Sequence, residues 1–275
     1  MAVVPIPQPY DFVASTDRFR AYSRDLATAW VDGALYRVVD GTEVCVESAP
    51  SGVEVTPGEP AAVAHVSFLL GLPFDLAGFW AWAEADPVLR ELARPLAGYR
   101  PPLQPDPWEA VVTSVTAQQV SLHSAFAVRA RLVERLGTRH RHAWEFPSRD
   151  TVALAGEEDL LTAGFSRRKA EYVLGLARSD LDLTALTAVP DDDVVALLSA
   201  QRGLGRWSAD WFLARALARP NAWPAGDLGL RKAVSHFYGD GLMLEEAAVR
   251  ELGERFGAWR NLVAHMLLAG LRVSG

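Results

Sequence analysis

The fold of this chain is decided by Gln201-Arg-Gly-Leu-Gly-Arg-Trp207-Ser-Ala-Asp-Trp211, followed by Asn221-Ala-Trp-Pro-Ala-Gly-Asp227-Leu-Gly-Leu-Arg-Lys232. An apolar run, residues 194–198, precedes the first stretch, and Asp191 is a suitable N-cap for it. Two glycines end this run, and a second helix is predicted to begin at once and to extend over about residues 206–218. The pattern predicts two helices joined by a tight glycine turn.

The second helix and the loop after it bring three side chains of interest into one region. Its unpaired N–H groups and positive dipole end point toward the turn formed by Gly203 and Gly205, where a phosphate could bind. Trp207 and Trp211 are four residues apart and so share one helix face. Asp227 follows a proline-rich loop and begins a further helix, a position where an aspartate is normally a cap.

The N-terminal third of the chain has a different pattern from the rest. Alternating apolar residues separated by glycine turns predict antiparallel strands at 34–39, 43–47 and 53–55, with helices at 17–26, 60–70 and 76–85. The proline-rich segment 99–107 is the expected linker. We therefore predict an α+β fold with two parts: an N-terminal α+β domain, residues 1–104, and a mostly α-helical region, residues 105–275, whose last helices can pack back toward the first domain.

Composition excludes several classes of protein. The net charge of −7 argues against a protein that binds nucleic acid through bulk electrostatics, although residues 201–232 carry six basic and two acidic side chains, a local charge of +4. The single cysteine, Cys45, excludes a four-cysteine iron–sulfur cluster. No apolar run approaches the roughly 18–20 residues of a membrane span, and no signal-peptide pattern is present. We therefore expect a cytoplasmic protein, associated with the nucleoid in a prokaryote.

The glycine turn, the helix after it and the downstream aspartate resemble the helix-hairpin-helix motif of the HhH-GPD DNA glycosylase superfamily. The most similar family is 3-methyladenine DNA glycosylase II, the alkylbase DNA glycosylases. The resemblance extends to residues 106–109, 116–121, 259–260 and 9–11, and so covers most of the chain. It implies a monofunctional enzyme of base excision repair that flips out alkylated purines, hydrolyses the N-glycosidic bond and leaves an abasic site. The implied partner is double-stranded DNA containing damaged bases, bound by a monomer.

The resemblance also implies roles for individual residues. Asp227 is the catalytic residue, because a carboxylate at a helix N-terminus suits the stabilisation of positive charge on the sugar. Trp207 and Trp211 form the base pocket, where an aromatic face attracts a cationic alkylated purine. Relatives that also cut the strand carry a Schiff-base lysine where this chain has Trp207, so no lyase activity is expected.

Further implied residues contact DNA or a cation. Gln119, with Gln118 beside it, is the candidate wedge that fills the gap left by the flipped nucleotide, unless both amides only tie down a loop backbone. The other implied DNA contacts are Arg202, Gly203, Gly205, Arg206, Ser208 and Lys232. No cofactor is expected for catalysis, but the resemblance implies a structural Na⁺ or K⁺ held by the backbone carbonyls of Ser199, Gln201 and Leu204.

Two alternatives to the alkylpurine glycosylase stay open. One is a glycosylase for other damaged bases, either deaminated or oxidised, and the second is a catalytically silent helix-hairpin-helix protein that only binds DNA. The indole face and Asp227 favour an enzyme, since a simple clamp would not need them. Where alkylbase relatives can place another pocket aromatic, this chain has His265, which leaves the width of the pocket and the range of lesions open.

Overall fold

A five-stranded antiparallel sheet forms the N-terminal part of the protein, in a computed structural model that describes residues 1–22, 24–239 and 242–273. The strand order is β1-β5-β4-β3-β2. The three predicted strands are confirmed as β3, β4 and β5, and two short edge strands join them. The strands are β1 (Ala2–Pro5), β2 (Thr28–Val31), β3 (Ala34–Val39), β4 (Thr42–Ala49) and β5 (Gly52–Thr56).

The helix predicted at residues 17–26 is confirmed only in its first part, as α2 (Arg18–Ala21). A separate short helix, α1 (Phe12–Thr16), precedes it, and Asp11 caps α1 by accepting a hydrogen bond from the backbone N–H of Ala14. The end of the predicted segment turns into β2 instead, because the Asp25 carboxylate accepts hydrogen bonds from the backbone N–H groups of residues 27 and 28. Residue 23 lies outside the described residues.

Helices make up most of the remaining chain, as predicted for an α+β protein of this kind. They are α3 (Pro60–Leu69), α4 (Leu76–Ala83), α5 (Pro87–Ala93), α6 (Pro107–Ala117), α7 (Leu122–Leu136), α8 (Arg149–Leu154), α9 (Glu157–Thr162), α10 (Arg167–Ala177), α11 (Asp191–Ser199), α12 (Arg206–Arg215), α13 (Leu228–Tyr238), α14 (Glu246–Glu254) and α15 (Arg260–Val273). A two-stranded hairpin, β6 (Thr138–Arg139) and β7 (Trp144–Glu145), follows α7. No helix in the described part of the chain is long and apolar enough to span a membrane.

Three main apolar cores hold these elements together. One lies between the sheet and helices α1 to α3, and a second is built by α6 to α12. The third joins residues 74–103 to helices α13, α14 and α15. The last helices thus share a core with residues that precede the proline-rich segment, and the division of the chain at residues 104 and 105 stays a prediction.

A buried ionic network fixes the sheet against the helical region. The Glu109 carboxylate on α6 accepts hydrogen bonds from Arg37 on β3 and from Arg129 on α7, the latter at 2.5 Å. Arg129 also pairs with Asp25, and Arg37 donates to Nε2 of His65 at 2.7 Å. Because breaking a buried pair leaves a desolvated charge behind, this network sets where α6 and α7 lie relative to the sheet.

Candidate active site

A large cavity, about 1260 Å³, opens where the glycine hairpin meets the corner between α6 and α7. Asp227, Trp207 and Trp211 all line it. Its other walls come from α1 and α2 of the N-terminal part and from α15 at the end of the chain. The structure therefore brings the predicted catalytic aspartate and both predicted pocket tryptophans into one cavity, and it adds walls from both ends of the sequence.

The Asp227 side chain is held by three N–H donors. One oxygen, Oδ1, accepts a hydrogen bond from the backbone N–H of Leu230 at 2.9 Å, so that Asp227 is the N-cap of α13. The second oxygen, Oδ2, accepts from the indole Nε1 of Trp207 at 3.0 Å and of Trp211 at 3.1 Å. Because an ionised carboxylate only accepts hydrogen bonds, this set of donors suits a charged, fixed group.

The two indoles are not equivalent. Their spacing on α12 places both Nε1 atoms toward Asp227, but Trp207 is half-buried whereas only 7% of Trp211 is exposed. The guanidinium carbon of Arg215, one turn further along α12, lies 3.8 Å from the ring centroid of Trp211. Trp211 therefore already holds a cation–π contact within the protein.

The hairpin between α11 and α12 is as tight as the glycines predict. Gly203 has a φ of +90°, and a Cβ at this position would lie 2.0 Å from Cγ of Tyr172. Gly205 instead has an extended φ of −121° and is the N-cap of α12, so only one of the two glycines uses a positive φ. The N-cap predicted at Asp191 is also wrong: α11 begins at Asp191 itself, and Pro190 occupies the N-cap position without a capping hydrogen bond. Asp191 lies in the first turn, where the helix dipole favours its charge.

The two glutamines at the corner between α6 and α7 have different surroundings. Nε2 of Gln118 donates to the carbonyl of Gly203 at 2.8 Å and contacts Oγ of Ser208 at 3.4 Å, which ties the corner to the hairpin. Gln119 has a φ of +55° and is exposed at the cavity. Two exposed apolar side chains, Val120 and Leu122, lie beside it. The corner thus presents one polar and two apolar side chains that can contact a ligand.

The other predicted DNA contacts are spread around the hairpin. Arg202 and Arg206 each pair with a carboxylate, Glu171 at 3.0 Å and Asp210 at 2.8 Å. Ser208 is buried in the cavity wall, and Lys232 is exposed at the cavity mouth. Among the carbonyls predicted to hold a cation, that of Gln201 accepts a hydrogen bond from the backbone N–H of Leu204 at 3.1 Å.

Sequence reasoning missed most of the polar residues on the far walls of the cavity. They are Arg18 and Tyr22 from the N-terminal part, Tyr99 from the proline-rich segment, Arg215 at the end of α12 and Arg272 on α15. His265 on α15, which the sequence marked only as a departure from the alkylbase relatives, lines the same cavity. The helical spacing of Arg215 after Trp211 is the one local signal among the missed residues.

Burial lowers the pKa values of two of these cavity residues, Arg215 and His265. Burial, followed by the charge of Arg18, lowers the pKa of Arg215 to about 9. Burial and the charges of Arg215, Arg18 and Arg272 lower the pKa of His265 well below 6.5. At neutral pH the cavity that Asp227 lines therefore also holds a charged guanidinium and a neutral imidazole.

Comparison with known proteins places this site in a family. Residues 112–256, more than half of the chain, match the model of the HhH-GPD superfamily base excision DNA repair protein. DNA-3-methyladenine glycosylase of Bacillus subtilis is 32% identical over 176 residues, which cover 61% of this chain and 58% of the relative. The chain spans about half the length of the curated relatives it matches.

Solved structures show the same architecture over nearly the whole chain. The 3-methyladenine DNA glycosylase from Archaeoglobus fulgidus has a TM-score of 0.88 and 26% identity, and the match covers 98% of both chains. An 8-oxoguanine glycosylase/lyase of Clostridium acetobutylicum shares the fold, with a TM-score of 0.80, 19% identity and coverage of 96% of this chain and 92% of that one. On the extent of the family match and the site it contains, this chain belongs to the HhH-GPD superfamily of base excision DNA repair proteins.

Proposed function

We propose that this protein is a monofunctional DNA glycosylase that takes an alkylated purine out of double-stranded DNA and hydrolyses its N-glycosidic bond, leaving an abasic site. The observation that carries this proposal is the Asp227 carboxylate, held in the cavity wall by two indole N–H groups. The name of the Bacillus subtilis relative and that of the Archaeoglobus fulgidus structure support the alkylpurine substrate.

Asp227 can stabilise the charge that develops during bond cleavage. When the C1′–N bond breaks, its electron pair leaves with the purine and the deoxyribose becomes an oxocarbenium-like cation. A fixed carboxylate near that sugar lowers the energy of the cation without having to reorganise. Water then adds to C1′ and gives up a proton, which the Asp227 carboxylate can accept.

Alkylation of the purine makes the base a better leaving group. A base with a ring nitrogen alkylated carries positive charge, so it leaves as a neutral molecule and needs less help from the protein. Trp207 is half-buried at the cavity and offers the indole surface against which a flipped base can stack. Trp211, covered by Arg215, contributes mainly its N–H to Asp227.

Water is the expected nucleophile because the lysines are poorly placed for amine chemistry. The sequence has two, Lys169 and Lys232. Nζ of Lys169 donates to the carbonyl of Thr116 at 2.9 Å. Lys232 lies more than one turn into α13, exposed at the cavity mouth, where it suits a phosphate contact. Strand cleavage by glycosylases of this superfamily requires a Schiff base between a lysine and C1′ of the sugar. This chain has no buried lysine that could form it.

DNA binding is proposed at the hairpin and at the corner beside it. The N-terminal N–H groups of α12 begin at Gly205 and can bind a phosphate, while Gln119, with Val120 and Leu122 beside it, can fill the gap in the duplex. A monovalent cation, Na⁺ or K⁺, is proposed at three backbone carbonyls. The three carbonyls belong to Ser199, Gln201 and Leu204. The Ser199 carbonyl at the end of α11 lacks a partner in the next turn of helix, and the Gln201 carbonyl keeps one free lone pair. Neutral carbonyl oxygens of this kind fit such an ion.

Replacing Asp227 with Asn tests the mechanism. Asn is an equally good N-cap, so the variant should fold, but it lacks the charge that stabilises the sugar. We expect the single-turnover rate of base release from methylated DNA to fall by about 10²–10³-fold, the loss typical when a transition-state charge loses its stabilising group. Affinity for a duplex with a stable abasic-site analogue should stay within about threefold by fluorescence anisotropy.

The matched control is Asp75→Asn, an N-cap exchange on α4 away from the cavity, which should change neither measurement. Base release by Asp227→Asn at the parental rate would exclude the mechanism. DNA binding by the parent without base release from any damaged duplex would favour the silent DNA-binding alternative.

Borohydride treatment during the reaction should trap no covalent protein–DNA adduct, and a trapped adduct that disappears in Lys232→Gln would show lyase chemistry.

A further inference from the structure

Helix α10 contacts both elements that are proposed to bind DNA, the corner between α6 and α7 and the glycine hairpin. Nζ of Lys169, in its first turn, donates to the carbonyl of Thr116 at 2.9 Å, near the end of α6. The ring of Tyr172, one turn further along, lies against Gly203 of the hairpin. One helix therefore supports the corner and the hairpin together.

Lys169 completes an end of α6 that the helix backbone leaves open. The helix ends at Ala117, so the carbonyl of Thr116 has no N–H group in a following turn of helix. The ammonium also lies at the negative end of the helix dipole, which favours its charge. Burial lowers the pKa of Lys169, and a half-buried cation needs an acceptor of this kind. The contact thus fixes where α6 ends.

The corner that follows is held in an uncommon conformation. Gln118 is extended, whereas Gln119 has a φ of +55°, in the left-handed region that few residues other than glycine adopt. Such a conformation persists only where surrounding contacts hold it. Two contacts do so here: the bond from Lys169 to the end of α6, and the 2.8 Å bond from Gln118 to the carbonyl of Gly203. The exposed side chains of the corner are therefore presented in one arrangement.

We propose that Lys169 is a positioning residue for base flipping: by holding the end of α6, its ammonium keeps the corner in the conformation that enters the duplex. This inference rests on the proposed glycosylase function and concerns a residue that acts through the corner, on neither the base nor the sugar. Ordering a segment at the moment of binding costs free energy, whereas a corner that is already ordered avoids that cost. Without Lys169, less of the binding free energy is left to stabilise the flipped nucleotide.

A direct phosphate contact is the competing role for Lys169. A lysine that neutralises a phosphate releases a counterion, so its removal lowers the slope of log Kd against log salt concentration by about one. A positioning residue leaves that slope unchanged. The bond to Thr116 and the half-buried side chain favour the positioning role, because a lysine that binds phosphate keeps its ammonium free in solvent.

Three variants separate these roles. Lys169→Met keeps the apolar stem and removes the ammonium, whereas Lys169→Arg keeps a charged donor. The matched control is Arg178→Met at the other end of α10, where Arg178 donates to the carbonyls of Ala153 and Ala155 at 2.9 Å and 3.0 Å. Both Met exchanges thus remove a cation from carbonyls at a helix C-terminus, but Arg178 and its two partners lie outside the residues that line the cavity.

Flipping is measured without base release, with every variant built on an Asp227→Asn background. The probe is a duplex with one 2-aminopurine opposite cytosine, whose fluorescence rises when the base leaves the stack and whose mismatch lowers the free energy of flipping. Lys169→Met should lower the equilibrium constant for flipping, measured at saturating protein, by about 5- to 10-fold, the effect of losing one charge-assisted hydrogen bond. Lys169→Arg should stay within about twofold of the parent, because it restores that bond, and Arg178→Met should match the parent.

The salt dependence of Kd, measured by fluorescence anisotropy, is the second readout. Its slope should be the same for the parent and Lys169→Met. A slope lowered by about one, or unchanged flipping in Lys169→Met, would overturn the inference. Thermal midpoints of all variants separate positioning from folding. If Lys169→Met does not fold, Lys169→Gln, which keeps an amide donor without the charge, takes its place in the same comparison.

The two readouts also distinguish this inference from the proposed function. If the chain with Asp227 intact releases no base but flipping still depends on Lys169, the proposed reaction fails and the inference stands. If that chain releases alkylated purines while Lys169→Met flips the probe as well as its parent does, the inference fails and the proposed function stands.

Discussion

Exchanging Gly203 for alanine should damage the hairpin on which the proposed DNA contacts depend. The added Cβ would lie 2.0 Å from Cγ of Tyr172 and 2.2 Å and 2.6 Å from its two Cδ atoms, well inside the contact distance of about 3.5–4.0 Å between carbon atoms. The residue also has a φ of +90°, where an L side chain is strained. Either the turn or the Tyr172 ring must therefore move by roughly 1 Å or more to restore that contact distance.

The expected loss can be estimated from these two effects. A non-glycine residue in a left-handed conformation costs about 1–2 kcal/mol, and overpacking of this size costs roughly 1–3 kcal/mol. We therefore expect the free energy of unfolding to fall by about 2–5 kcal/mol. A shift of the turn also breaks the 2.8 Å hydrogen bond from Gln118 to the Gly203 carbonyl, which links the hairpin to the corner between α6 and α7. DNA affinity should fall as well, because both surfaces contact the duplex in our proposal.

Urea unfolding and fluorescence anisotropy with abasic-site DNA, both on an Asp227→Asn background, measure the two effects. The matched control is Gly205→Ala. Gly205 has a φ of −121°, and a methyl group added there would meet no atom within 4 Å. Only its role as N-cap is affected, which should lower the free energy of unfolding by about 1 kcal/mol or less. Adding Tyr172→Ala to Gly203→Ala should give a favourable coupling energy of at least about 1 kcal/mol, because it removes the clash. Equal stability and equal DNA affinity of Gly203→Ala and Gly205→Ala would refute this account of the hairpin.

Two further predictions concern the buried network under the site. Burial and the charge of Arg37 lower the pKa of His65 to about 3 in the folded protein. In the unfolded chain this histidine titrates near 6.5, so the unfolded chain binds the proton first. The free energy of unfolding therefore falls as the pH drops from 6.5 toward 3. The parent should lose about 2 kcal/mol more than His65→Gln between pH 7.5 and pH 5 in urea unfolding, and equal losses would contradict this assignment. Glu109→Gln should cost about 3–5 kcal/mol at neutral pH, because it leaves Arg37 and Arg129 without their shared carboxylate, and a loss below about 1 kcal/mol would show that the network does not hold the two parts together.

Local signals in the sequence were enough to predict the hairpin and the position of Asp227. Glycine is favoured where φ must be positive, and aspartate is favoured at an N-cap, so a glycine turn followed by an aspartate at a helix start has a direct physical basis. Gly203 and Asp227 use these properties as predicted. The same logic misplaced the start of α11 by one residue, since Asp191 is already helical. The helix predicted at residues 17–26 ends early, at Ala21, because the Asp25 carboxylate binds the backbone N–H groups of residues 27 and 28 and turns the chain into β2.

The walls of the cavity could not be predicted because they depend on contacts between distant segments. Arg18 and Tyr99 lie in the first 104 residues and Arg272 lies in the last helix, yet all three line one cavity. The third core, which joins residues 74–103 to helices α13 to α15, is a contact of this long-range kind. Nothing in the sequence next to Arg18 marks it as a cavity residue. Long-range packing decides its position, and periodicity reports only on local structure.

The same limit applies to the orientation of the two tryptophan rings. A separation of four residues predicted a shared aromatic face, but it does not give the direction of the ring plane. In the structure both indole N–H groups donate to one carboxylate oxygen of Asp227, which fixes the two planes, and Arg215 then covers one ring. With Arg215 over Trp211, the more exposed indole surface in the cavity is that of Trp207, and the role of the two rings as the base pocket stays a prediction.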